Sequence, residues 1–417
     1  MVRYWLWLAT REGIGLRKMH LLLRQFSTPE QVWLADETAL RQVEGLGKAP
    51  SLEDKKLDGA DKILSDCFQK DIQVITMQDA TYPERLRNLD DAPLVLYCRG
   101  SMPDFDAAPV VAMVGTRKAS GYGLMQAKTL GFQIGRMGGL VISGGAYGID
   151  TMALKGALSA GGPVAAVLGC GADIVYPASN AGLFRDICAH GCLLSEYPPG
   201  TPALGAHFPV RNRILSGLAL GVLVVEAPRR SGALITANHA LEQGRDVFTL
   251  PANVGSSTCE GNLQLLKDGA ILVEEGWDVM REYVHLYPDK IVRRSRPIPM
   301  TLTADEKAQQ QAQQTRETER AERSVAEKPS AREKDDKKVI DKPQKRHYID
   351  LHGLLDTLSA DERAAAECLQ EGPAHVDEII DKTQIAAGRI LAALTLLELK
   401  GYVTRLPGRR FSLTERK

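Results

Sequence analysis

Between residues 108 and 275, short runs of consecutive apolar residues alternate with stretches in which apolar residues recur at helical spacing. The runs are Val110–Val114, Leu140–Ile142, Val164–Leu168, Leu193–Leu194, Val222–Val225, Val247–Leu250 and Ile271–Val273. A strand that is apolar at every position is buried on both faces, and strands that alternate with helices form βαβ units. The pattern predicts an α/β fold, with a Rossmann-like, doubly wound and mostly parallel sheet over residues 81–290.

The segments on either side of this core follow other patterns. Residues 1–80 carry apolar residues at helical spacing and predict a helical module. Two glycine-bearing turns, at residues 13–15 and 44–48, fit either a helix-hairpin-helix that holds a phosphate or ordinary tight turns between helices. Residues 350–417 predict three helices and then a β-hairpin, the order of a winged-helix-like domain. The first of these helices should begin at Ser359.

Residues 297–346 separate the core from the C-terminal domain. This segment is rich in charges of both signs and poor in large aliphatic side chains. Such a composition cannot bury a core, so we expect a charged, disordered linker. The C-terminal domain should then fold independently of the rest of the chain.

Bulk composition limits the classes of function. The formal net charge is zero, so affinity for an anionic polymer would have to come from local basic clusters, helix N-termini and backbone amides. The seven cysteines are scattered without a CxxC pair, which predicts no metal site and suits a reducing compartment. No apolar run has the length of a membrane helix or a signal-peptide core, so we expect a cytoplasmic protein with no membrane partner.

Four segments rich in glycine, small polar residues and arginine follow apolar strands and lead into helices. They are Val114–Gly123, Ile142–Asp150, His207–Ile214 and Glu226–Thr236. Because they follow strands of a parallel sheet, they should meet at its carboxyl edge, where open α/β sheets bind ligands. Glycines let the backbone approach a phosphate, while helix amides and arginine forks hold it. Phe208 either stacks a base or packs inside, and Asp150 is expected to act as a helix cap or dipole partner rather than as a catalytic acid.

Sequence motifs give no support for catalysis. The chain contains no GxGxxG, P-loop, GxSxG or HExxH motif, and no histidine is plainly paired with a nucleophile. We therefore expect binding without catalytic residues, cofactor or metal.

An ordered series of motifs between residues 80 and 275 resembles the DNA-processing protein A (DprA/Smf) family. The series is Tyr82–Pro83, Val114–Arg117, Ser143–Asp150, Leu194–Gly200, Phe208–Arg213, Ser231–Thr236 and Gly244–Val247. The resemblance implies that a basic pocket on the core binds single-stranded DNA. It also implies protection of incoming strands in natural transformation, help in loading a RecA-type recombinase, and a homodimer formed through the core.

The family's glycine-serine/threonine-arginine and Arg-Asn-Arg motifs match residues 115–117 and 211–213. The predicted DNA-binding residues are Gly115, Thr116, Arg117, Ser143, Gly144, Gly145, Phe208, Arg211, Asn212, Arg213, Ser231, Gly232 and Thr236. Three positions depart from the family pattern: Gly145 replaces a leucine, Leu154 a histidine and Ala252 a glycine.

Two other functions compete with this interpretation. Residues 231–236 are faintly similar to the phosphoribohydrolase signature Pro-Gly-Gly-x-Gly-Thr-x-x-Glu, but the consecutive glycines and the glutamate are absent. The basic end of the chain, residues 400–417, could make a winged-helix regulator of duplex DNA, or form a solvated tail or a protein contact. For assembly, the aliphatic segment from Leu263 to Val273 either forms the dimer contact or packs inward.

Overall fold

The computed structural model describes residues 1–47, 49–293, 358–372, 374–383, 385–400, 402–406 and 410–413. The chain divides into two compact units, whose described parts lie within residues 1–293 and 358–413. The charged linker expected at residues 297–346 lies outside the described residues.

One sheet forms the centre of the first unit. Its strands lie in the order β1-β2-β6-β5-β4-β3-β7-β8-β9. They are β1 (Ile72–Thr76), β2 (Val95–Gly100), β3 (Val110–Val114), β4 (Leu140–Ser143), β5 (Val164–Leu168), β6 (Gly191–Ser195), β7 (Gly221–Val224), β8 (Asp246–Thr249) and β9 (Ile271–Leu272). Strands β3 to β9 run parallel, and β2 pairs antiparallel with both β1 and β6. The predicted doubly wound, mostly parallel sheet is confirmed.

Helices cover both faces of this sheet. They are α6 (Glu84–Arg87), α7 (Gly121–Arg136), α8 (Ile149–Ser159), α9 (Ala181–His190), α10 (His207–Leu218), α11 (Gly232–Glu242), α12 (Glu260–Lys267) and α13 (Gly276–Met280). Helices α7, α8, α9 and α13 bury their apolar side chains on one face, and α6, α10 and α11 on the other. The strands are apolar throughout because both faces are covered.

Strands β1 and β2 are not predicted by the apolar runs. β1 lies in the segment expected to be helical, and its side chains alternate between buried and exposed at Ile72, Gln73 and Val74. A half-exposed edge strand of this kind carries a weaker signal than a buried parallel strand. The sheet therefore continues into residues 72–76.

The preceding residues form the expected helical part. Its helices are α1 (Val2–Ala9), α2 (Leu16–Phe26), α3 (Pro29–Leu34), α4 (Glu37–Arg41) and α5 (Asp58–Gln69), with a short 3-10 helix at Pro50–Leu52. Thr28 and Asp36 cap α3 and α4 by accepting hydrogen bonds from backbone amides. The helices share a core that also includes Val95 and Tyr97 of β2, so they pack against the antiparallel end of the sheet.

The second unit has the predicted winged-helix order. Its elements are α14 (Ala360–Cys368), β10 (Ala374–His375), α15 (Val376–Thr383), α16 (Ala387–Leu399), β11 (Val403–Leu406) and β12 (Arg410–Leu413), with sheet order β10-β12-β11. Ser359 and Glu362 form a reciprocal capping box at the start of α14, which confirms the helix start predicted there. The short strand β10 was not predicted.

Three chemical features of the described ranges complete the description. No helix in them is long and apolar enough to cross a membrane. The same residues contain no group of three or more histidine, cysteine, aspartate or glutamate side chains placed to hold a metal ion. All seven cysteines are free thiols, four of them buried.

Candidate nucleic-acid interface

A cavity of about 390 Å³ opens at the carboxyl edge of the sheet, beyond the ends of β3 and β7. The chain winds from β3 through β4 and β5 to β6, then returns to place β7 on the other side of β3. Ligands of open α/β sheets bind at such a switch point. We call this space the switch-point cavity. Of the predicted site residues, those lining it are Gly115, Thr116, Arg117, Phe208, Arg211, Asn212, Ser231, Gly232 and Thr236.

The loop after β3 presents two cations to the cavity. The backbone amide of Thr116 donates to Glu226 O at 2.7 Å, and the Thr116 hydroxyl accepts from the Lys118 amide at 3.2 Å. These bonds fix the loop while the side chains of Arg117 and Lys118 are exposed. Gly115 has a packing role, because a Cβ there would lie 2.5 Å from Ile149 Cγ1.

Glu226 occupies the N-terminus of α7. Its buried carboxylate accepts hydrogen bonds from Ser120 N at 3.0 Å and Ser120 Oγ at 2.9 Å. Gly123 leaves room for it, since a Cβ at that position would overlap the carboxylate. The cap residue of this helix is therefore already held by an internal anion, and its hydroxyl accepts from the first-turn amide of Gly123 at 3.0 Å. The carboxylate is held by a residue distant in sequence, which no local pattern predicts.

The second glycine-rich segment is also filled from within. Ser143 donates its hydroxyl proton to Met113 O at 2.7 Å inside the sheet. A Cβ on Gly144 would lie 2.5 Å from Arg211 Nη2 and 2.6 Å from Asp150 Oδ2, so these two side chains occupy the space that the glycines were expected to leave for a phosphate. Gly145 has φ +67° and faces the ring of Phe184. Ser143, Gly144 and Gly145 thus stand behind the cavity wall and not in it.

Arg211 and Asp150 form a buried, oppositely charged pair in the wall of the cavity. Arg211 Nη1 donates to Gly144 O at 3.0 Å and to Val167 O. Burial raises the pKa of Asp150, which Arg211 opposes, and burial lowers the pKa of Arg211, which Asp150 opposes. The guanidinium stays charged because its ordinary pKa is so high. The pair compensates itself, so the cavity's net positive charge comes from its exposed cations.

Arg213 points away from the switch-point cavity. Its Nη2 donates to Glu196 Oε2 at 2.5 Å, and its Nε lies 3.3 Å from Asp91 Oδ2. Burial raises the pKa of Glu196, and Arg213 opposes that rise. The Arg-Asn-Arg motif was expected on a loop, but it lies in α10, where positions two apart face different directions. One arginine of the motif therefore supports the cavity and the other holds α10 to carboxylates elsewhere.

Phe208 provides a half-buried aromatic surface in the cavity. Arg117 Cζ lies 4.9 Å from its ring centroid and Arg211 Cζ 6.0 Å. The ring of Tyr176 lies 5.5 Å away at an interplanar angle of 45°. Phe208 therefore lines the cavity instead of joining the core. Tyr176, which follows β5 in the Ile174-Val175-Tyr176 run, was not predicted, although it also follows a strand of the parallel sheet.

The first turn of α11 faces the cavity with its amide end. Ser231 caps it by accepting from Ala233 N at 3.2 Å, and Asn212 Nδ2 donates to Gly232 O at 3.2 Å. No acidic side chain lies in the first turn. Unlike α7, this helix therefore presents a positive dipole end to a ligand.

The cavity contains two further cations that were not among the residues predicted from the sequence. Lys118 and Arg230 both line it, and both are exposed. Each lies next to a residue named from sequence, so adjacency within the same strand-to-helix segment was the available signal. Together with Arg117 they give three exposed cations beside an aromatic ring and an open helix N-terminus. Such an arrangement can bind phosphates and stack a base.

The three departures from the family pattern leave the lining unchanged. Leu154 is fully buried in α8, and Gly145 and Ala252 are not among the residues that line the switch-point cavity.

Comparison with known proteins identifies the family of the chain. Residues 73–284 match the family model described as DNA recombination-mediator protein A, and residues 353–409 match the DprA winged helix domain. Protein Smf of Synechocystis is 31% identical over 416 residues, covering 98% of both chains. DNA processing protein DprA of Streptococcus pneumoniae is 42% identical over 225 residues, covering 54% of this chain and 78% of the relative.

Two solved structures of DNA processing protein A align with this chain. The X-ray structure of DNA processing protein A from Streptococcus pneumoniae superposes with a TM-score of 0.60 at 34% identity, covering 68% of this chain and 98% of the other. A structure of DNA processing protein A from Helicobacter pylori, described by its single-stranded DNA binding mode, aligns with a TM-score of 0.46 at 27% identity over 53% and 99% of the two chains. With a relative matched almost end to end and two family models matched in order, the chain belongs to the DprA/Smf family.

Proposed function

We propose that the switch-point cavity binds single-stranded DNA. The observation that carries this is the convergence of Arg117, Lys118 and Arg230 with the half-buried ring of Phe208 at the open N-terminus of α11. The cations and amides bind backbone phosphates, and a base stacks on the aromatic ring. A base can stack there only when it is not paired within a duplex, so the site favours single strands.

The arrangement supports binding in preference to turnover. The carboxyl group that lines the cavity, Asp150, is buried against Arg211 and accepts a backbone hydrogen bond from Ala146. The segment that resembles a phosphoribohydrolase signature, residues 231–236, caps and begins α11. We therefore propose a protein that holds a strand and performs no hydrolysis, without cofactor or metal.

The wider role we propose is protection of incoming single strands in the cytoplasm and their delivery to a RecA-type recombinase. The support is membership of the family, together with the description of the matching model as a recombination mediator. Contacts to backbone phosphates and stacking on an aromatic ring carry little sequence information, so they suit strands of any sequence.

We also propose a homodimer through the edge of the sheet at β9. Within the segment from Leu263 to Val273, Leu265 and Val273 are buried, whereas 45% of Leu272 is exposed. Leu241 of α11 is 57% exposed, and together with Ile271 it lines a cavity of about 220 Å³. An open strand edge with exposed aliphatic residues is a natural site for self-association. Two switch-point cavities on one strand would then raise the apparent affinity.

The dimer is tested with Leu241→Glu/Leu272→Glu. We expect light scattering to report a dimer for the parent and a monomer for the variant. The variant should lose affinity for long strands while keeping it for short ones. A monomeric parent at tens of micromolar, with or without DNA, would contradict this part of the proposal.

The central test is a titration of single-stranded and duplex DNA at two salt concentrations with the parent and Arg117→Ala. Loss of one phosphate contact should lower the slope of log affinity against log salt by about 0.7. Loss of a charge-assisted hydrogen bond of about 1.5 kcal/mol should weaken binding about tenfold. Arg136→Ala, which removes an exposed cation at the end of α7 far from this loop in sequence, is the matched control. Equal affinity of parent and Arg117→Ala would exclude the cavity as the site.

A further inference from the structure

A second and larger cavity lies between the helical part and the core. Its volume is about 570 Å³, and we call it the lateral groove. One wall is the start of α2 and the other is formed by α10 and α11. Its lining residues are Gly15, Leu16, Arg17, Lys18, Asp91, Pro209, Val210, Arg213, Ile235 and His239.

The lateral groove is continuous with the switch-point cavity around the first turn of α10. Pro209 lines both spaces. In α11, Thr236 lines the switch-point cavity and the preceding Ile235 lines the groove. A flexible polymer that leaves the cavity over Pro209 therefore enters the groove directly.

The groove carries uncompensated positive charge. Within the described part of the chain, the side chains of Arg17 and Lys18 make no hydrogen bond or ion pair, and Arg17 is exposed. The acidic side chain that lines the groove, Asp91, is already engaged by Arg213 at 3.3 Å. The nearby Glu242 lies 3.4 Å from His239. The net field in the groove thus attracts an anion.

The floor of the groove suits nucleobases. Val210 is 47% exposed and Ile235 is 39% exposed, which places two aliphatic surfaces beside the two cations. At the same floor, Arg213 is 4% exposed and its Nη1 is buried without a hydrogen-bond partner among the described residues. A buried donor of this kind is costly to leave unpaired. Gly15 precedes α2 as its N-cap residue and provides no side-chain cap, and the first turn contains no acidic residue, so the amide end of α2 is also open.

We infer that the lateral groove is a second binding site for the same DNA strand, continuing its path from the switch-point cavity onto the helical part. Phosphates lie against Arg17 and Lys18, and bases contact Val210 and Ile235. This inference rests on the proposed function of the switch-point cavity. It also assigns the glycine-bearing turn before α2 to phosphate binding and not only to chain reversal.

The test is the affinity of the full chain for oligothymidine strands of increasing length. For the parent, affinity should rise with length until the strand fills both spaces. Arg17→Ala/Lys18→Ala should bind the shortest strands like the parent but stop gaining affinity at a shorter length. With long strands its salt slope should be lower by about 1.4, for two lost phosphate contacts at about 0.7 each. Arg24→Ala/Lys62→Ala, which removes two exposed cations of the same helical part outside the groove, should behave like the parent.

Arg117→Ala separates this inference from the proposed function. It should weaken binding at every length, whereas the groove variant affects long strands only. If the groove variant retains the parent's length dependence while Arg117→Ala still weakens binding, the groove is not a DNA site and has another occupant. If Arg117→Ala also has no effect, the proposed function itself fails.

Photo-crosslinking locates the strand directly. With p-benzoylphenylalanine at position 235, a long strand should crosslink efficiently. The same group in place of Phe68, which is 89% exposed on α5 and does not line the groove, should crosslink only weakly. Equal yields at the two positions would overturn the inference.

Discussion

The loop after β3 and the first turns of α10 carry the same cation at the same edge of the sheet, yet they use it differently. Arg117 on the loop is exposed and contacts the ring of Phe208. Arg211 and Arg213 on the helix are each 4% exposed and donate to backbone carbonyls or carboxylates. One region leaves its charge exposed at the cavity, and the other uses its charges for contacts within the protein.

The difference follows from the cost of burying a charge. An arginine on a surface loop needs no partner, whereas a buried one must be neutralised and hydrogen-bonded. Asp150 and Glu196 supply that neutralisation from α8 and from the end of β6. An arginine motif therefore marks a ligand-binding residue only where the carboxylates of the protein leave it unpaired.

The largest effect that would test this contrast is expected for Arg211→Ala. The substitution leaves Asp150 buried without its cation and removes the donor to Gly144 O and Val167 O. Breaking a buried ion pair by removing one partner costs about 3–5 kcal/mol. We expect urea denaturation to show that Arg211→Ala lowers the free energy of unfolding by this amount. Arg117→Ala, the matched control that removes an exposed arginine, should have a free energy of unfolding within about 0.5 kcal/mol of the parent. If Arg211→Ala is as stable as the parent but loses affinity for DNA, Arg211 contacts the ligand and does not differ from Arg117 in this respect.

Arg213→Ala is expected to cause a smaller loss of folding stability, and this loss should depend on pH. Burial already raises the pKa of Glu196 above its ordinary 4.5, and removing Arg213 removes the main opposing interaction. A carboxyl group whose folded-state pKa is raised costs stability as the pH rises through that pKa, because the folded state must then bury the charge. We expect urea denaturation to show that Arg213→Ala lowers the free energy of unfolding by about 3 kcal/mol at about pH 8 and by clearly less at about pH 5.5.

Glu196→Gln in the Arg213→Ala background is the control for this pH dependence. It should remove most of the difference between the two pH values, because the glutamine cannot ionise. Single-stranded DNA binding in the switch-point cavity should be unchanged in Arg213→Ala and in Arg213→Ala/Glu196→Gln. An equal loss of stability at both pH values would show that Glu196 is not the group involved.

The sheet could be predicted from the sequence because each parallel strand is apolar at every position. Edge strand β1 gave no such signal, since Gln73 is exposed and Val74 only half-buried. The β-branched residues Ile72, Val74 and Ile75 form a pattern too short to distinguish from the helices before it. Burial by neighbouring elements, not local propensity, decides such a strand.

The candidate site was predicted in outline for the same reason, and its details were not. Segments after parallel strands must meet at one edge, so the loop after β3 and the start of α11 were found. The side on which each arginine of α10 faces depends on carboxylates far away in sequence. Glu226 likewise fills the start of α7 from across the sheet. Pairing across such distances is a property of the folded chain, which no spacing rule contains.

The smallest expected effect is that of Phe208→Ala on single-strand binding, which separates the role of the aromatic ring from that of the exposed cation Arg117. Phe208→Ala removes the ring beside Arg117 but no charge, so it should weaken single-strand binding by about 1–2 kcal/mol through lost base stacking. The salt slope should stay that of the parent, whereas Arg117→Ala lowers it. Because Phe208 also packs on Gly169, with Cδ1 3.1 Å from the position of a Cβ there, Phe208→Leu is the control that keeps apolar volume. If leucine restores full affinity, the ring acts by packing alone. If leucine binds as weakly as alanine at an unchanged slope, the aromatic face holds a base and the exposed cations hold the phosphates.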